Sequence, residues 1–132
     1  MSARSLEQEA DCWLDLAVGD LIASRALAAN ATAPPRCAAF FAHQAAETAL
    51  KAILAYAGAE PPRTHDLVRL AEQCRASANL SVTGADLRSL TEAHIQAQYP
   101  DRIATSYLTA DIVGMLEIAS LVVSAAQRAV GA

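Results

Sequence analysis

Three histidines, nine arginines and one lysine are the side chains of this sequence best suited to proton transfer or anion binding. Imidazole titrates near neutrality and serves as a general base. Guanidinium grips phosphate bidentately. Two spacings combine them. Arg88 and His94 are six residues apart and Arg36 and His43 seven apart. On a regular helix the first pair projects ~120° apart, so one member must turn inward. His94 shares a stripe with Leu87, Leu90 and Thr91, so it is the inward one. The second pair projects within ~20° and ~10 Å along the axis, close enough to bracket one phosphate and one ribose hydroxyl. Arg36 also lies at a helix start, where free N–H groups favour an anion. The competing reading makes Arg36 a solvated first-turn residue and both histidines packing groups. No two of His43, His65 and His94 have a ligand-like local spacing, and the sequence predicts no metal and no cofactor. Glu47 and Lys51 form an i,i+4 pair of the favourable orientation and read as helix stabilisers.

Those residues must be positioned by helices, because the apolar period is 3.6 nearly throughout. Helix 1 is expected from Leu6 to Ala29, with Ala10, Trp13, Leu14, Ala17 and Leu21 on one face and Glu7, Glu9, Asp11, Asp15 and Asp20 on the other. Helix 2 runs from Pro35, at home in a first turn, to about Gly58. Phe40, Leu50 and Leu54 place apolar groups opposite its main stripe, so most of its sides are apolar. The Pro61-Pro62 link is extended. Thr64 reads as the cap of a short helix from His65 to Ser77, in which His65 meets helix 2 or an anion. Thr83 caps helix 4, Gly84 to Gln98, and helix 5 covers Thr109 to Val130. The expected core includes Trp13, Phe41, Ile53, Leu70, Leu90, Leu116 and Val123. The fold class is all-α, a five-helix up-and-down antiparallel bundle occupying residues 1–132 as one domain.

Composition agrees. Alanine is about a quarter of the chain, hydrophobic residues are 54% and charged residues 18%, which excludes disorder and favours close-packed helices. The net charge of −4 excludes a globally basic nucleic-acid binder. Cys12, Cys37 and Cys74 are odd in number and widely spaced, so they read as buried thiols in a reducing compartment. No signal-like segment opens the sequence and no apolar run of membrane length is free of charge, so the expected location is cytoplasmic, with no membrane partner. Helices 2 and 5 are wider in apolar surface than a bundle this small needs, which implies a homodimer.

Four ordered pieces resemble the HEPN domain family. Phe40-Phe41-Ala42-His43-Gln44-Ala45-Ala46-Glu47-Thr48-Ala49-Leu50-Lys51 is similar to its signature helix. Pro61-Pro62-Arg63-Thr64-His65-Asp66-Leu67 is similar to its P-x-T-H-D-L connection, Tyr99-Pro100-Asp101 to its Y-P-D turn, and Trp13-Leu14 with Asp20-Leu21 to its opening helix. The resemblance implies a dimeric five-helix bundle, often paired with a minimal nucleotidyltransferase in a toxin–antitoxin arrangement. It implies for many members a metal-independent ribonuclease with an Arg-x4–6-His motif, in which His deprotonates a ribose 2′-hydroxyl and Arg stabilises the phosphorane. On that reading Arg88 and His94 are the leading catalytic pair and Arg36 and His43 the second. Arg63, His65, Tyr99 and Arg102 are the nucleotide or RNA contacts. Phe41 stands where the family usually has His, Thr48 replaces a Lys, and Gln98 replaces an Arg. These lost polar groups, with the acidic charge, point to the alternative: a non-catalytic module that binds a nucleotide or a partner protein.

Overall fold

The computed structural model describes residues 5–96 and 109–131. Within them lie α1 (Leu6–Ala29), α2 (Pro35–Tyr56), α3 (Leu67–Cys74), α4 (Gly84–Gln96) and α5 (Thr109–Ala129), and no strand. The local causes are visible at most ends. Ser5 and Gln8 form a reciprocal capping box at the start of α1, and Thr83 and Asp86 form another before α4. Gly58, with φ of +88°, turns the chain out of α2, and the amide of Ala59 reaches back to the carbonyl of Leu54. Helix α3 starts later than its sequence suggests. Asp66, not Thr64, is its cap, and one carboxylate oxygen accepts from the amides of Val68 and Arg69. A charged acceptor at the positive end of a helix outcompetes a hydroxyl two residues earlier.

Long-range contacts set the directions. Ser24, near the end of α1, donates to the carbonyl of Ala38 at the start of α2 over 2.7 Å, while Ala10 packs with Ala52 and Ala55 at the other end. These two helices are therefore antiparallel. Val130 joins the same end, so α5 runs alongside α2 and against α1. His94, late in α4, meets His43, early in α2. Helix α2 is lined with alanines: Ala38, Ala39, Ala42, Ala45, Ala46 and Ala49 are all buried. Small side chains let the backbones approach closely, and Leu21, Leu50, Ile53, Leu70 and Leu90 fill the remaining core.

Three expected core residues are only half-buried, namely Trp13, Phe41 and Leu116, while Ile53, Leu70, Leu90 and Val123 are buried. The cysteines also differ from expectation. Cys12 is exposed and Cys37 intermediate. Only Cys74 is buried; its thiol donates to the Leu50 carbonyl over 3.2 Å, and burial pushes its pKa up to about 12. The segment Asp111–Ala129 is long and apolar enough to cross a membrane by length and composition. Here Ile112, Ala119, Val122, Val123 and Ala126 spend that apolarity on the bundle core.

Candidate functional site

One face of α2 carries His43, Glu47 and Lys51 at four-residue steps, and all three are buried. Four residues is just over one helical turn, so the three side chains stack along one line. Glu47 is the centre. Its Oε2 accepts from Lys51 Nζ at 3.1 Å, and its Oε1 lies 2.7 Å from His65 Nδ1. His43 Nδ1 stands 4.0 Å from the same Oε1. The extended Pro61-Pro62 link delivers His65 to this carboxylate; the outer side of His65 remains in water, with its side chain 78% exposed. The Lys51 ammonium also sits 5.4 Å from the ring centroid of Trp13 on α1. A buried charge requires such compensation.

Beyond His43 the line continues onto α4. The His43 and His94 rings are stacked, 4.1 Å between centroids and 11° from parallel, and Phe40 lies 5.3 Å from His94. His43 is fully buried, with Gln44 and a Glu47 carboxylate oxygen 4.0 Å away as the polar groups beside its ring. Burial, followed by the proximity of His94, pushes its pKa down to about 4 against the pull of Glu47. Burial likewise lowers His94. Both rings are therefore neutral at pH 7. Such a stack is compatible with base chemistry only where a substrate reaches a ring nitrogen.

At the Lys51 end a cleft of about 470 Å³ opens between α1 and the Pro-Pro link. Trp13, Leu16, Pro61 and Pro62 give it apolar walls, and Lys51 and Arg63 contribute cations. Glu9 and Glu60 line it as well.

The residues singled out by sequence spacing separate into three groups. Arg88 is exposed, with its guanidinium folded back over Gly84, whereas His94 turns inward. Arg36 is exposed in the first turn of α2 while His43 is enclosed. Arg63 and His65 fall near each other, one in the cleft and the other on Glu47. Tyr99 and Arg102 lie outside the described residues. The sequence reading missed Trp13, Glu47 and Lys51 as site residues. The available signal was an ionic ladder on a helix apolar on most sides, where a charged pair has little water to face. Among the described residues no three His, Cys, Asp or Glu side chains are placed to hold a metal ion.

The chain is an all-α, five-helix bundle that carries a histidine–carboxylate line along one face of α2. The family model for the HEPN domain matches residues 10–129, and the chain belongs to that family. Its fold is similar to the crystal structure of TT1696 from Thermus thermophilus, with a TM-score of 0.76 and 22% identity over 90% of this chain and 96% of that one. No curated protein matches.

Proposed function

We propose that this chain is a binding module of the HEPN family, acting as a homodimer, rather than a ribonuclease complete within one protomer. The observation that carries this reading is the disposition of the Arg–His pair: His94 lies flat on His43 inside the bundle, and Arg88 is directed away over Gly84. Cleavage through a 2′-hydroxyl needs a base within about 2.6–3.2 Å of that hydroxyl and a cation on the same phosphate. The cleft beside Trp13 has the size and mixed lining of a ligand site. Exposed Phe40 and Ile95, 41% and 47% accessible, supply apolar surface for a second copy. The test is incubation of purified protein with RNA in EDTA. The RNA should remain intact, and His94→Ala and Arg88→Ala should behave as wild type.

The second reading is a ribonuclease toxin neutralised by a nucleotidyltransferase partner. The lowered pKa of His94 supports it, since the ring is already unprotonated at neutral pH, as do Phe40 and Ile95 beside it, on which a second protomer would bring its own Arg88. EDTA-resistant cleavage leaving 2′,3′-cyclic phosphates, reduced ~10²-fold or more in both variants, would establish that reading and overturn the first.

A further inference from the structure

The cleft beside Trp13 has a charge balance that selects among ligands. Lys51 is one of its two cations, and it is already neutralised by Glu47 at 3.1 Å behind the wall. Arg63 then faces two carboxylates, Glu9 and Glu60, neither of which forms an ion pair with any described residue. Two carboxylates and two cations line the cleft; counted with the Glu47 that pairs Lys51, the local charge is one negative, and Glu7, Asp11 and Asp15 extend that field along exposed positions of α1. A phosphate entering here would meet repulsion and find one unengaged cation. A cation would meet two unengaged carboxylates.

The remaining wall is apolar. Leu16 is 53% exposed and Trp13, Pro61 and Pro62 are half-buried, so the cleft offers a place for an uncharged side chain between the acidic groups. The link beside it also has open backbone. Pro61 and Pro62 have no N–H, and the amides of Glu60 and Arg63 donate to no carbonyl among the described residues. What the link offers is acceptors: the carbonyls of Glu60 and Pro61 accept from no amide among the described residues, and an extended peptide can donate to them, whereas a small cation would not need the apolar wall. We infer that this cleft docks an extended segment of a partner protein in which an apolar residue is flanked by Arg or Lys. This rests on the binding-module reading and gives its ligand a chemical class.

Trp13 is the chain's single tryptophan, so its emission reports on the cleft directly. The probes are a blocked Arg-Leu-Arg-Leu-Arg peptide, its Glu-Leu-Glu-Leu-Glu counterpart, and AMP. The basic peptide should shift Trp13 emission saturably below ~1 mM, within the range of weak specific recognition. Binding should weaken with added salt, since the attraction is between solvent-facing charges. Glu9→Gln combined with Glu60→Gln should weaken it by roughly tenfold, as expected for loss of facing charge pairs. Neither carboxylate has a partner to strand, so the double variant should melt with wild type. The acidic peptide and AMP should leave the emission unchanged. Saturable binding of AMP would overturn the inference, as would a silent basic peptide or an unaffected double variant. These outcomes are separable from the function test: RNA cleavage in EDTA removes the binding-module reading whatever the peptides do. A silent basic peptide with intact RNA removes this partner and leaves that reading standing.

Discussion

His43 is a fully buried imidazole whose polar neighbours, Gln44 and Glu47, do not offset its burial, which makes it a source of acid sensitivity. The unfolded chain protonates it near 6.5 and the folded chain near 4. Between those values the unfolded state binds more protons. The stability is therefore present in full above pH 6.5 and falls as the pH drops toward 4. The gap corresponds to about 3 kcal/mol at roughly 1.4 kcal/mol per pH unit. His94 shifts in the same direction and adds to the effect. Urea midpoints at pH 7.5 and 4.5 should show this loss, and His43→Leu, which removes the titrating ring at similar volume, should lose less. An equal loss in that variant would place the acid sensitivity elsewhere. Glu47 makes the opposite case. Glu47→Ala strands the buried Lys51 ammonium and should cost about 3–5 kcal/mol, read as a fall in urea midpoint. His65→Ala, at the solvated end of the same network, should cost under about 1 kcal/mol. Spacing alone predicts the Glu47–Lys51 pair, and the pair forms. Which way it faces depends on α1 and the Pro-Pro link, which a spacing rule does not contain. The reading of His65 as meeting helix 2 or an anion goes further, because the Pro-Pro link leaves it little choice of neighbour; what it meets on α2 is Glu47.

At the scale of elements, chain punctuation is the most informative signal. Pro34-Pro35, Gly58 and Thr83 mark ends that agree with the observed helices to within about two residues, because each acts through local backbone geometry. The start of α3 is less legible: Thr64 and Asp66 are both competent caps, and their competition is decided by charge. Asp66→Ala should cost about 1 kcal/mol, since two amides lose their acceptor in an eight-residue helix with few others to share the strain. The alanine face of α2 makes a second demand. Ala46 is fully buried, so Ala46→Leu must push α2 away from its neighbours, destabilising by about 1–3 kcal/mol or more in a denaturant melt. An unchanged midpoint would mean that the interface has slack its burial does not show. The half-burial of Trp13 follows from the same geometry. Its ring serves as a cleft wall and as a surface for Lys51 rather than as core filling, and an apolar stripe does not distinguish those uses.

For the whole molecule, four motifs in the right order made the bundle and the family legible across nearly the full chain, although the likeness to TT1696 is only 22% identical. Assembly is a different matter, because apolar excess on a helix predicts that a surface will be covered without saying by what. The structure narrows the question. Phe40 on α2 and Ile95 on α4 are exposed, and Phe40 packs on His94, so two different helices contribute to one patch beside the histidine stack. A two-fold contact through this patch would bury both apolar residues against their own copies. The proposed homodimer should then be seen by light scattering at ~100 μM, well above a micromolar dissociation constant. Phe40→Glu would place like charges at the centre of such a contact and should give a monomer with an unchanged helical signal. Leu16→Glu, in the Trp13 cleft, should remain dimeric, because that cleft is assigned to a different partner. A wild type that scatters as a monomer would overturn the homodimer, and a dimer indifferent to Phe40→Glu but broken by Leu16→Glu would move the self-contact to the acidic cleft. The charge there makes this the unfavourable outcome, since two net-negative surfaces would have to meet.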